Sequence, residues 1–193
     1  MQGYSALGGA AAEKAMLEET GSKDPQIRLV AARSLGEIGS AAANDKLVKL
    51  VQDENQHVAR TALASIAHSD PARAGQLAER QMKSTDVAAR QSALQFSPLL
   101  EPAVAHAILA AGLADADESV AASAAQMYGQ MGGAEAQNAL VDCLQRDSAS
   151  PALHRAAADA LDGLGGSAAR SYAALIAKYK SPVSDSPESG SGE

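Results

Sequence analysis

The sequence predicts an all-α fold, an α-solenoid made of stacked helical hairpins. Three observations carry that prediction. Aromatic side chains make up 3% of the 193 residues, Trp is absent, and small and aliphatic residues dominate. Ala lets helix axes approach closely and has the best helix propensity, whereas sheets draw on β-branched and aromatic residues. A pattern of apolar and small residues then recurs every 31 residues, which marks a repeat architecture. Finally, the spacing inside each copy is that of one helix face.

The elements follow in chain order. Tyr4-Ser5-Ala6-Leu7-Gly8 stands 31 residues before Leu35-Gly36-Glu37-Ile38-Gly39 and resembles Tyr128-Gly129-Gln130-Met131-Gly132. The chain is therefore expected to open near the end of a first helix, turn at Gly8-Gly9 and run a second helix over residues 9–20. This half-unit, 1–22, is either a cap with Glu13, Lys14, Glu18 and Glu19 on its outer side or part of a longer array. The reading leans to the longer array.

The first full copy carries Ile27, Ala31, Ala32, Leu35, Gly36, Ile38 and Gly39. Steps of 31 give Val58, Ala62, Leu63 and Ile66, then Ala89, Ala93, Leu94 and Ser97, then Val120, Ala124, Ala125 and Tyr128. A step of 33 gives Leu153, Ala157, Ala158 and Leu161. Each copy is expected to begin with a helix of about 14 residues, closed by a Gly in a left-handed cap. The starts are assigned to Asp24-Pro25, Asp53, Ser84-Thr85, Asp115 or Asp117, and Ser150-Pro151, as N-cap chemistry and Pro at a first helical position suggest. A second helix follows each Gly: Leu47, Leu50 and Val51 reappear 93 residues on as Leu140, Cys143 and Leu144. The units are thus about 23–52, 53–83, 84–114, 115–147 and 148–180, one solenoid domain over 1–180. Residues 181–193, SPVSDSPESGSGE, are too poor in apolar side chains to bury a core and are expected to be a disordered acidic tail.

Composition narrows the function. Residues 1–97 carry eleven basic and eleven acidic side chains, and residues 98–193 carry five and twelve. No Lys or Arg lies between Arg90 and Arg146, which argues against nucleic acid, since that partner requires cations to displace counterions. No apolar run reaches the roughly 18 residues of a membrane span. The N-terminus lacks the basic and apolar regions of a signal peptide, and the single cysteine excludes an internal disulfide framework. These point to the cytoplasm.

The pattern D-x-x-x-x-V-R-x-x-A-A-x-A-L-G-x-I-G, matched by Asp24 to Gly39, resembles the short HEAT-like repeats typified by the phycobilisome-lyase group. The likeness covers roughly residues 4–179. Arg90 keeps the basic position of Arg28, whereas Ala59, Ala121 and His154 depart from it. The resemblance implies a right-handed superhelix of helical hairpins, with first helices on the convex side and second helices on the concave side. It also allows for scaffolds, adaptors, chromophore lyase subunits, iron hydroxylases and DNA glycosylases.

With Leu47, Leu50 and Val51 packed inward, Asp45, Lys49 and Gln52 would face the concave side. Their counterparts are Gln76, Arg80 and Lys83, then Ala107, Ala111 and Ala114, then Asn138, Asp142 and Gln145. The surface would run from mixed and basic, through apolar, to polar and acidic. The third second-helix, PAVAHAILAAGL over 102–113, is apolar nearly all round, so it is either an ordinary Ala-rich core helix or one that keeps an exposed apolar stripe.

Chemistry was sought in the remaining polar residues. His57, His68, His106 and His154 form neither His-Glu pairs nor an H-x-x-x-H spacing, so the converging ligands of an iron site are missing. Cys143 holds a core position, and only Arg146 favours a reactive thiolate. Asp115, Asp117 and Glu118 cluster where a helix begins, as capping and the helix dipole require. The glycine pairs Gly8-Gly9, Gly132-Gly133 and Gly165-Gly166 are read as turns, since no phosphate-loop fingerprint accompanies them. Arg28 and Arg90 are expected to pair with acids in the turns, forming a ladder between units.

The reading is a noncatalytic scaffold or adaptor without catalytic residues, metal or cofactor. It would bind another protein or peptide through Asp45, Lys49, Gln52, Gln76, Arg80, Lys83, Ala107, Ala111, Asn138 and Asp142. The alternative is a subunit or domain of an enzyme resembling a phycobilin lyase; nucleic-acid binding ranks below both.

Overall fold

A computed structural model describes residues 2–180. Twelve α-helices follow one another: α1 (Gln2–Glu19), α2 (Pro25–Ile38), α3 (Ala41–Leu50), α4 (Gln56–Ser69), α5 (Pro71–Met82), α6 (Val87–Gln95), α7 (Pro102–Leu113), α8 (Glu118–Met131), α9 (Gly133–Gln145), α10 (Pro151–Gly163), α11 (Gly166–Ser171) and α12 (Ala173–Lys180). A 3₁₀ turn, Ser97–Leu99, separates α6 from α7, and no strand occurs among the described residues. The fold is an all-α solenoid of helical hairpins. Contacts divide it into two compact units, residues 1–112 and 113–193.

The helix starts obey one rule that the sequence reading placed partly two residues early. Asp24, Asn55, Asp86 and Asp117 are the N-caps of α2, α4, α6 and α8, each accepting from a backbone N–H two residues on. Two residues before each cap stand Ser22, Asp53, Ser84 and Asp115, whose side chains accept from the cap's own N–H at 2.9–3.3 Å. Asp53 and Ser84 are thus turn residues and not caps. Both tiers hold cap-competent side chains, so sequence alone does not decide which tier starts the helix. Ser150 caps α10 as expected.

The glycines have two jobs. Gly39 and Gly165 are left-handed, with φ of 63° and 65°, and Gly39 closes α2 by donating to the Leu35 carbonyl, as αL caps do. Gly36 works differently: a Cβ there would stand 2.5 Å from the Ser65 Cβ. The same relation recurs 93 residues on, where a Cβ at Gly129 would lie 2.9 Å from the Ala160 Cβ. These glycines let α2 lie against α4, and α8 against α10. Contrary to the expected turn, Gly8-Gly9 lies inside the continuous helix α1. The Ala, Glu, Lys, Met and Leu residues that follow favour helix strongly enough to carry two glycines at about 1 kcal/mol each.

In the first unit, Leu35, Leu47, Val58, Leu63 and Ile66 form the core. Ile27 and Ile38, expected inside, are 40% and 39% exposed, whereas Val58, one repeat after Ile27, is fully buried. The helix ahead of α2 is the single α1; Val58 has a complete hairpin ahead of it.

The third copy breaks the pattern. Where Gly36 faces Ser65, the next seam presents Ala67 and Phe96, which belong to one apolar cluster. Phe96 is only 7% exposed and needs more room than a serine. Accordingly α6 meets α4 chiefly through the 3₁₀ turn, and Ser97 is buried there with its hydroxyl donated to the Leu94 carbonyl at 2.7 Å.

In the second unit, Val120, Tyr128, Leu140, Leu144 and Leu161 are buried. Cys143 has no exposed surface, and burial pushes its thiol up, offset in part by Arg146. His154 stacks on Tyr179 with ring centroids 4.3 Å apart, and the Tyr179 hydroxyl donates to the Leu144 carbonyl at 3.0 Å. His154 is therefore a packing residue.

Candidate functional site

Helices α3 and α5 are amphipathic. Helix α3 buries Ala43, Leu47 and Leu50 and helix α5 buries Ala74, Gly75 and Ala78, and each presents long polar side chains on the other side. In the first unit Asp45, Lys49, Gln52, Gln76, Arg80, Lys83, Ala107 and Ala111 are all exposed, and in the second so are Asn138 and Asp142. Lys49, Gln52 and Arg80 come together along one groove of about 340 Å³ between α3 and α5, floored by Val48, Val51 and Leu77. The other candidates do not line it. Asp45 is tied to Arg73 of α5 by an ion pair, and the sequence reading did not single out Arg73. The spacing of 28 residues between them, close to one repeat, was the available signal. Arg80 folds its Nε toward the Gln76 carbonyl at 3.4 Å.

The α7 face differs in kind. Ile108, Leu109 and Leu113 are buried, whereas Ala103, Ala107, Ala110 and Ala111 are exposed. The apolar stripe exists, but it is a stripe of methyl groups. Large side chains all turn inward.

Next to the groove lies a cavity of about 510 Å³, at the seam that Phe96 widens between α4 and α6. Ala59, Gln81 and Asp86 are among its walls. Gln81 lines both spaces, and its Oε1 is buried without a hydrogen-bond partner. The sequence reading missed this cavity, although it marked Ala59 as a departure from the repeat and Ser97-Pro98 as a break.

The ladder of arginines explains the position of the cavity. Arg28 is buried and makes paired bonds to Asp53, Nε to Oδ2 at 2.7 Å and Nη2 to Oδ1 at 2.8 Å. Its Nη1 donates to the carbonyls of Ser22 and Lys23 at 2.9 and 3.3 Å. The pairing holds the Asp53 carboxyl below the usual carboxylate range, through the hydrogen bond first, against the opposing effect of burial. Arg90 repeats the carbonyl contacts with Ser84 and Thr85 at 2.9 and 3.2 Å. Ala59 has nothing to offer at the same place. In the second unit, a cavity of about 330 Å³ likewise borders Ala121, and His154 occupies the arginine position with Nε2 3.1 Å from the Arg146 carbonyl.

Among the described residues, no three His, Cys, Asp or Glu side chains converge as a metal site requires. No helix of the described residues is long and apolar enough to cross a membrane.

Comparison with known proteins agrees with this architecture. Residues 13–96 match the family model described as HEAT repeats, so that stretch is similar to HEAT repeats; the phycobilisome-lyase subgroup is not singled out. No curated protein matches. Among solved structures, the chain is similar to an engineered protein at 22% identity, over 85% of each chain, with a TM-score of 0.43. It is also similar to human deoxyhypusine hydroxylase, solved in complex with glycerol, at 18% identity over 88% of this chain and 71% of that one, with a TM-score of 0.45.

Proposed function

We propose that this helical repeat protein is a noncatalytic scaffold or adaptor that captures another protein or peptide on the polar face of its second helices. The observation that carries the reading is the convergence of Lys49, Gln52 and Arg80 on one open groove with an apolar floor. An apolar base ringed by a few polar groups is the usual make-up of a recognition surface. Two exposed cations there, with Lys83 exposed nearby in sequence, suit a partner segment bearing carboxylates. Asn138 and Asp142 of the second unit extend the reading to a polar and acidic surface on α9.

The partner is taken to be a protein and not nucleic acid, because the charges of residues 1–97 balance and the net charge of −7 arises further along the chain. Cytoplasmic location belongs to the same proposal.

The test is affinity capture with the wild-type chain and with Arg80→Glu, followed by mass spectrometry. Arg80 is exposed, so the variant should fold normally. Specific partners should be recovered by the wild type and depleted with the variant, and recovery unchanged by Arg80→Glu would count against this face.

A further inference from the structure

We propose that the cavity beside Ala59 is a receptor for a guanidinium group, the side chain of an arginine supplied by a partner polypeptide. It adjoins the groove just discussed and shares Gln81 with it, but the inference does not rest on that reading.

The inference comes from comparing equivalent places in the repeat. At Arg28 and Arg90 the protein fills the site from within. Each guanidinium sits beneath the loop ahead of its own helix and donates to two successive carbonyls, Ser22 and Lys23 for one, Ser84 and Thr85 for the other. One repeat after Arg28 the same loop is present, with Asp53 and Glu54 in the carbonyl positions. No hydrogen bond from the described residues reaches those two carbonyls. The helix below carries Ala59, and the space is open, about 510 Å³.

Three further features suit a planar cation with several donors. Gln81 lines the cavity and its buried Oε1 has no donor, so a turn of the amide toward a ligand N–H would relieve a costly state. Asp86 adds a carboxylate at the wall, and Phe96 offers an aromatic ring of the kind on which guanidinium groups stack. The counter-ion used by Arg28 is absent: the residue 25 positions after Ala59 is Ser84, where Arg28 has Asp53. The seam thus lacks the arginine of the Arg28 position and the acid at the Asp53 position, and keeps the loop, the Asp86 carboxylate and the room. Arg60 also lines the cavity and opposes any cation, so binding depends on the directed hydrogen bonds that a guanidinium makes and an ammonium does not reproduce.

The experiment is an amide-resolved NMR titration of the full chain with N-acetyl-arginine methylamide. Blocked lysine and blocked citrulline, the neutral isostere, serve as comparison probes. The expected result is a saturable shift confined to residues around 53–60, 81 and 84–96, with an affinity roughly in the millimolar range. Citrulline and lysine should each bind on the order of tenfold more weakly. Ala59→Arg should abolish the titration by occupying the cavity from within, and Gln81→Leu should weaken it several-fold while leaving the helical signal intact. The proposal is overturned if the arginine probe gives no saturable shift. It is equally overturned if Ala59→Arg leaves the shifts unchanged, or if lysine binds as well as arginine.

Discussion

Arg28 reaches across 25 residues of sequence to grip Asp53 with two parallel hydrogen bonds of 2.7 and 2.8 Å. Its Nη1 holds the loop ahead of its own helix. One side chain therefore joins two successive helix starts. Asp53 in turn accepts from the Asn55 N–H at 2.9 Å, so the pair also positions the cap of α4. Replacing Asp53 by Ala removes both contacts and leaves the buried guanidinium with its carbonyl bonds and the exposed Glu54 alone. The expected loss is about 1–3 kcal/mol, a fall of several degrees in the unfolding midpoint, read by circular dichroism. An unchanged midpoint would show that the pair is idle.

The same pair makes stability depend on pH. Asp53 is held below its ordinary value, whereas an unfolded aspartate titrates near 3.9. Its contribution is complete above about pH 4 and is lost as pH falls through the depressed folded value. Urea midpoints of the wild type should therefore drop as pH falls below about 4. Asp53→Asn should flatten part of that drop and lower the plateau above it.

Gly36 and Gly9 should respond oppositely to alanine. At Gly36 the new methyl would meet the Cβ and Cα of Ser65 at 2.5 and 3.0 Å, atoms that cannot swing aside. Overpacking of this kind costs about 1–3 kcal/mol and outweighs the helix-propensity gain. At Gly9, in the interior of α1, nothing lies within 4 Å. Alanine there should stabilise by about 0.5–1 kcal/mol. Thermal melts of the two variants check both signs.

Cys143 should be silent in the folded chain. It is fully buried, and burial raises its thiol, so both access and thiolate fraction are low. A disulfide reagent should modify it at the rate of protein opening, accelerating with denaturant. Rapid modification under native conditions would contradict the core position.

The sequence made the repeat legible because helix faces, capping residues and closing glycines all act within one hairpin. The period of 31, the core positions at Leu35, Leu63, Tyr128 and Leu161, and the burial of Cys143 could be read from spacing alone. Relations between hairpins were less visible. The role of Gly36 depends on Ser65, and the opening of the α4–α6 seam depends on Phe96 facing a site sized elsewhere for Ser or Ala. Both were present in the repeat frame as columns of residue sizes, but periodicity of hydrophobicity does not record size. The exposure of Ile27 and Ile38 escaped for a related reason: an apolar residue is buried only if a neighbouring element arrives to cover it. The exposure of Lys49, Gln52 and Arg80 was legible because exposed positions on an amphipathic helix follow from the buried ones.

Photocrosslinking tests the central claim, capture of a protein through the groove between α3 and α5, most directly. A photoreactive side chain is placed at Gln52, which lines the groove, and separately at Arg33, exposed on α2. Both proteins are irradiated with a partner recovered by affinity capture. The account predicts a covalent adduct from position 52 and none from position 33. An adduct from position 33 with none from position 52 would contradict it.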